Sequence, residues 1–289
     1  MPSCYQPLVH AVRTKPGSGY RGTVNPRPHV IFTNGRSGSN YVANLLNAHP
    51  HVTNYGEVMG EFSPAYKAHE RLKVWGRNIE EYLDTVLTSR SYFEAAQVFS
   101  AAQRLRRRQR PNWKRWSTTE SVGFKEFGIR FERRGLDDFL ATRPHIPVIS
   151  LVRENTFDRV VSVHRMAQTN EIAAAHSHGS GSDRSISIPI DVMLGDLEVY
   201  EEEKAYQLSI VDGLDSARVL HITYEDLFAS GEAQSTFRTE LFDLVGVRDA
   251  DVASSHRRIS DRPIEDRLAN YGEIREAVKA TPFACYLPA

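Results

Sequence analysis

Residues 29–57 read HVIFTNGRSGSNYVANLLNAHPHVTNYGE, and the fold is decided there. His29–Thr33 is a short apolar, β-branched run entered through Pro26 and Pro28, which is the pattern of a core strand. Asn34–Asn40 then supplies two glycines, small hydroxyls and one arginine where a helix has to begin. Tyr41, Asn44, Leu45 and Ala48 recur at helical spacing, with Val42 and Leu46 widening the stripe, until His49-Pro50 stops the helix. Small residues at a helix N-terminus leave backbone N–H groups unpaired at the positive end of the helix dipole. Gly35, Arg36, Ser37, Gly38, Ser39 and Asn40 therefore form a candidate anion site, with phosphate its usual occupant. Taken alone, a Gly- and Ser-rich loop is more often a plain turn. Nor is this a Walker A sequence: Gly38 is followed by Ser39-Asn40 with no lysine, and the cation sits earlier, at Arg36.

A second stretch repeats the arrangement. Pro147–Val152 is another β-branched run, and Phe157, Val160, Val161 and His164 behind it recur at helical spacing. Arg153 falls at the carboxyl end of this strand, and Ser162 lies about two turns into the helix, off its apolar stripe. Open α/β sheets bind ligands at such strand ends. Singly, Arg153 reads as a surface ion-pair residue and Ser162 as filler on a helix flank. A third fragment, HITYEDL at 221–227, has the look of a strand followed by a short acidic helix.

These pieces together resemble the PAPS-dependent sulfotransferases, which use 3′-phosphoadenosine 5′-phosphosulfate. Arg-Ser-Gly-Ser after a first core strand, a helix ending at His-Pro and then Gly-Glu are similar to that family's 5′-phosphosulfate loop. The likeness is greater to the carbohydrate, tyrosyl-protein and bacterial glycolipid-type branches than to the small-phenol branch, whose loop carries lysine at the Arg36 position. Asn40 stands where the family usually has Ser or Thr. Arg153 and Ser162, nine positions apart, have the spacing of the family's 3′-phosphate pair, and Asp158-Arg159 also fits. The family's usual Asn-Pro is Glu154-Asn155 here, and Tyr224-Glu225-Asp226-Leu227 resembles its later strand-and-turn segment.

The resemblance implies transfer of a sulfuryl group from PAPS to a hydroxyl of a small-molecule or glycan acceptor, a carbohydrate or glycolipid foremost, with no metal. Glu57 resembles the glutamate assigned as base in the tyrosyl-protein and trehalose-type enzymes, although on its own a Glu in a loop reads as solvated. Arg36 and the loop N–H groups would stabilise the departing 3′,5′-ADP, and Lys125, in Gly-Phe-Lys, resembles a lysine aimed at the sulfuryl group. On its own Lys125 reads equally as an edge-strand lysine. Two other readings stay open, a P-loop small-molecule kinase and a non-catalytic nucleotide- or glycan-binding protein of the same fold.

Alternating strands and helices argue for a central parallel β-sheet flanked by helices, and the resemblance makes this a P-loop-NTPase-like sulfotransferase fold. Residues 1–28 read as an irregular lead-in and 29–289 as one domain. Helices are expected at Asn78–Leu87, Tyr92–Arg108, Leu136–Ala141, Ile190–Ser209 and Ser235–Leu244, and strands at 122–127 and Val219–Thr223. Net charge is zero, so no whole-molecule field seeks nucleic acid or anionic membrane. Cys4 and Cys285 are the only cysteines, too few for a disulfide framework. No run approaches the ~20 apolar residues of a transmembrane helix, and no apolar signal core is present, which points to a cytoplasmic enzyme.

His176 and His178 lie in a Gly-Ser segment without a carboxylate cluster and read as a solvated loop over 173–183. Arg104–Arg115 holds seven cations beside Trp113 and Trp116. It reads first as a solvated helix end and otherwise as a holder of an acidic or sugar-rich acceptor, with nucleic acid a lesser option. Arg257, Arg258 and Arg262 are candidates for a basic segment closing over the nucleotide.

Overall fold

A computed structural model describes residues 25–61, 63–106, 108–169, 185–256 and 262–288. Cys4, Arg257, Arg258 and the 173–183 segment with His176 and His178 lie outside the described residues. The five strands β1 (Arg27–Thr33), β2 (Val52–Asn54), β3 (Ser121–Phe127), β4 (Val148–Val152) and β5 (Val219–Thr223) form one sheet in the order β2-β3-β1-β4-β5. Every pairing is parallel, so each strand must be followed by a crossover, and helices supply it. Helix α1 (Ser39–Ala48) follows β1, and α2 (Pro64–Leu72), α3 (Ile79–Thr88) and α4 (Arg90–Arg106) connect β2 to β3. After β3 comes α5 (Gly128–Glu132), and α6 (Thr156–Thr169) and α7 (Ile190–Asp212) link β4 to β5. The chain continues through α8 (Tyr224–Leu227), α9 (Gly231–Val245), α10 (Ile264–Arg267) and α11 (Tyr271–Lys279). No helix among the described residues is long and apolar enough to cross a membrane.

The strand pleat divides the core into two layers. Val30 and Phe32 of β1 join Phe124, Val148 and the inner faces of α3 and α4, whereas Ile31 joins Val42, Leu45 and Leu46 of α1 and Phe237, Leu241 and Phe242 of α9. Each such side chain, fully buried, contributes roughly 1.5–3 kcal/mol. A third cluster packs α6 against α7 and α11 through Phe157, Val161, Leu197 and Ile274. Gln207 of α7 is buried and donates to the carbonyls of Phe32 at 3.0 Å and Leu151 at 3.2 Å, clamping α7 to the sheet where β1 and β4 end.

Several expectations need correction. The buried stripe of α1 is Val42, Ala43, Leu45 and Leu46, and Ala48 is exposed, because the sheet rather than the longest apolar run sets the inward face. Leu136–Ala141 is a series of turns, not a helix. Gly135 at φ +62° breaks the backbone before it, and the burial of Leu136, Phe139 and Leu140 holds the segment. Lys125 is not an edge residue: β3 lies between β2 and β1, and the lysine is buried. In the basic run Lys114 is buried too, and its ammonium donates to the carbonyls of Asn47 and His49 at 2.9 Å each and to that of Val52. A cation thus caps the negative end of α1, and burial lowers its pKa to about 8.

His29 fastens three strands. Its Nδ1 lies 2.8 Å from Ser121 Oγ of β3, and Asn54 of β2 donates its side-chain amide to Nε2 at 3.1 Å. Only glycine fits beside it at position 123, since a Cβ there would lie 2.1 Å from the His29 carbonyl oxygen. Burial pushes the imidazole pKa down to about 3. The unfolded chain takes up this proton near pH 6.5 and the folded chain does not. Stability from this site is therefore complete above pH 6.5 and is lost as pH falls from there toward 3. Denaturant titrations of the wild type between pH 6 and 4 are expected to show an extra loss of about 1.4 kcal/mol per pH unit. A His29→Gln variant should lack that slope.

Candidate active site

All five strands end on one side of the sheet, and each delivers residues there. From β1 the chain turns into α1 through Asn34–Gly38. Arg36 takes φ +65° and Gly38 φ +85°, where a Cβ would meet the Phe228 ring at 2.9 Å. Glycine is thus required at 38 on two counts. With α1 beginning at Ser39, the Ser39 and Asn40 N–H groups have no partner within the helix, while those of Tyr41 and Val42 donate to the Gly38 carbonyl at 2.8 and 3.4 Å. Arg159 of α6 supports the turn by donating Nε to the Gly35 carbonyl at 3.0 Å.

The side chains of the loop are less alike than their sequence. Ser37 is buried, with Oγ 2.6 Å from Thr33 Oγ1 and donating to the Asn34 carbonyl at 2.7 Å, so its hydroxyl serves the loop. Ser39 is buried as well, while Asn40 is exposed and its Oδ1 accepts from Lys125 Nζ at 2.8 Å. Arg36 reaches across to α6, donating Nε to Ser162 Oγ at 2.9 Å. Residues 126 positions apart in sequence, expected to face different phosphates, are in direct contact.

Arg153 follows β4 and is nearly buried. Its guanidinium lies 4.4 Å from the Tyr224 ring centroid and pairs with Asp158 at 3.0 Å. Its buried Nε has no hydrogen-bond partner and stands 4.0 Å from a Glu225 oxygen. Arg267 of α10 shares Asp158, at 2.8 Å. Burial, and then the positive charge of Arg153, lower the pKa of Arg36. Two guanidinium groups thus bear on one another at the sheet's carboxyl edge, an arrangement that an anion between them would relieve.

Glu57, beyond β2, lies on the other side of the α1 N-terminus. Lys125 Nζ is 2.9 Å from one carboxylate oxygen and Arg130 Nη1 is 3.0 Å from the other. Burial pushes this carboxyl upward, but Lys125 and Arg130 together outweigh it and hold the group below the usual carboxylate range. Arg130 also pairs at 2.9 Å with Glu126, which is fully buried, accepts from the Met59 N–H and is raised by that burial. Glu126 and Arg130 were not among the expected residues, although their i, i+4 spacing after Lys125 was visible. Arg267 carries no local signal of its contact with Asp158, whereas Tyr224 lies in the 221–227 segment already singled out. Of the C-terminal candidates, the described Arg262 donates to the Asp266 carbonyl at 3.2 Å. No group of three or more metal-ligating side chains occurs among the described residues.

Residues 28–237 match the model of the sulfotransferase family, most of the chain, and the chain belongs to that family. It is 23% identical over 264 residues to "Nodulation protein H" of Rhizobium meliloti, covering 91% of this chain and 95% of that protein. Identity to the protein of the same name from Rhizobium tropici is 24% over 262 residues, covering 90% and 92%. Among solved structures it is similar to a sulfotransferase from Alicyclobacillus acidocaldarius, with TM-score 0.46 and 14% identity over 91% of this chain and 93% of that one. A sulfotransferase domain from the curacin biosynthetic pathway gives TM-score 0.46 and 14% identity over 85% and 83%.

The Glu57 site makes a direct electrostatic prediction. Replacing Lys125 by Met removes one of the two cations that offset burial, so the Glu57 carboxyl should titrate at higher pH than in the wild type. Carboxyl-carbon NMR of Glu57 across the acid range measures this, and an unmoved midpoint in Lys125→Met would contradict the assignment.

Proposed function

We propose that this member of the sulfotransferase family transfers a sulfuryl group from PAPS to a hydroxyl of a carbohydrate or glycolipid acceptor, with Glu57 as general base. One observation carries the reading. The Lys125 ammonium joins Asn40 of the anion loop at 2.8 Å to Glu57 at 2.9 Å, so the candidate base and the candidate anion site meet on one buried cation. The donor chemistry suits PAPS. First-turn N–H groups and Arg36 adjoin Ser162, which Arg36 contacts, and Arg153 with its unpartnered buried Nε. The preference for a carbohydrate or glycolipid acceptor rests on the branch resemblance of the Arg36 loop.

PAPS, when bound, supplies the sulfuryl group. The acceptor oxygen bonds to sulfur as the bond from sulfur to the 5′-phosphate oxygen breaks, and the acceptor proton goes to Glu57. Such transfers have loose transition states, so catalysis is mainly positioning and charge placement. Glu57, held low by its cations, is ionised near neutrality and ready to accept the proton. Arg36 and the α1 N-terminus face the leaving side, where negative charge grows, and stabilise it more in the transition state than in the ground state. Lys125 faces the sulfuryl side, and Arg130 keeps Glu57 oriented while Lys125 is engaged.

Two measurements test this. The protein should be stabilised against heat by 3′,5′-ADP and much less by 5′-ADP or ATP, because ligands that bind only the folded state raise the melting point. Arg153→Ala should remove most of that preference, and equal stabilisation by ATP would sink the sulfotransferase reading in favour of a kinase. Separately, Glu57→Gln should keep the affinity for 3′,5′-ADP while lowering turnover by ~10²-fold or more with radiolabelled PAPS and an oligosaccharide or glycolipid acceptor. Near-normal turnover in that variant would place the base elsewhere.

A further inference from the structure

The inward face of α4 is ordinary: Tyr92 packs on Tyr55 and Trp75, Phe93 on Trp116, and Gln97 accepts from the Lys114 N–H at 3.2 Å. Its outward face is not. Ala95, Val98, Phe99, Ala102 and Leu105 recur at helical spacing on the side turned away from the core, with Val98 59%, Phe99 42% and Leu105 62% exposed. A helix whose solvent side is its apolar stripe has, among the described residues, no partner for that stripe.

A second, independent feature adjoins it. No Asp or Glu occurs between Glu94 and Glu120, in a chain whose net charge is zero. Within that interval Arg106, Arg108, Arg110 and Arg115 are exposed and make no ion pair among the described residues. Trp113 stands among them, 58% exposed. The segment is fixed in place, because buried Lys114 and Asn112 both donate to the Asn47 carbonyl, at 2.9 and 3.2 Å. It therefore sits at the C-terminal end of α1, the far end from the anion loop, and cannot hold the acceptor at Glu57.

We propose that the outward face of α4, ending at Arg106, and the following 108–115 segment dock the protein on a bilayer surface bearing anionic headgroups. The apolar stripe and Trp113 enter the boundary between headgroups and acyl chains, and the arginines meet the lipid phosphates. Charge complementarity selects this occupant. A second copy of the chain would bring a like cluster of arginines against the first. Nucleic acid would answer the arginines but leave Val98, Phe99 and Leu105 with nothing to bury against.

The test uses the full chain with vesicles of phosphatidylglycerol and phosphatidylcholine. Co-sedimentation should exceed that with pure phosphatidylcholine vesicles by about tenfold or more and should fall steeply with added salt. Tryptophan emission should shift to the blue on binding, and Trp113→Phe should abolish the shift. Phe99→Ser with Leu105→Ser, and Arg106→Glu with Arg110→Glu, should each lower vesicle binding about tenfold while 3′,5′-ADP still raises the melting point as in the wild type. Should the variants fail to fold, the salt dependence and emission shift of the wild type still decide. Equal binding to neutral vesicles, or binding to DNA with none to anionic vesicles, would overturn the proposal. So would a wild-type dimer that the Phe99 and Leu105 substitutions convert to monomers without any vesicle binding.

Discussion

A buried ammonium group organises the candidate site of this molecule. Lys125 sits in an interior strand with almost no exposure, and a charge in that position persists only with strong partners. It has two, the Asn40 amide oxygen at the start of α1 and the Glu57 carboxylate beyond β2. Satisfying that one group ties the anion loop, the central sheet and the candidate base into a single cluster. Arg130 and the fully buried Glu126 extend the cluster by one further ion pair, so that Glu57 lies between two cations and cannot drift. A carboxylate held this way is ionised near neutrality and fixed in direction.

The other half of the candidate site gathers three arginines, Arg36, Arg153 and Arg267. Burial and then the charge of Arg153 disfavour the charge of Arg36, and Arg153 itself pairs with Asp158 and stands 4.0 Å from Glu225. Asp158 is itself divided between Arg153 and Arg267. A polyanion entering here would gain from the arginines without displacing any apolar packing, since the loop is held by Thr33, Ser37 and Arg159 from below. The same α1 helix serves both ends of the molecule. Its N-terminus faces the arginines, and its C-terminal carbonyls are capped by Lys114, so the cap also anchors the basic segment that follows α4.

The parts of this structure that were legible in advance are those written in local periodicity. The β1 and β4 strands follow from short β-branched runs, and the helix after the Gly-Ser loop follows from apolar spacing, because such patterns dictate which face can be buried. Elements without that spacing were not legible. The three residues of β2 are too few for a pattern, and Leu136–Ala141 carries helical spacing, yet Gly135 and burial turn it into a chain of turns. Lys125 read equally as an edge residue because strand order is invisible in a strand's own sequence.

By itself the sequence determined the parallel α/β layering, the Gly- and Ser-rich turn between β1 and α1 and the family to which the chain belongs, since each rests on residue types at short, fixed spacings. Tertiary structure alone decided what those residues touch. It turned Ser37 inward, set Arg36 against Ser162 across 126 positions, gave Lys114 to the carbonyls ending α1, and recruited Arg130 and Glu126 to Glu57. The reason is physical. A buried charge or polar group takes whichever partner the packing brings within reach, and packing is a property of the whole sheet and its layers, not of any window along the chain.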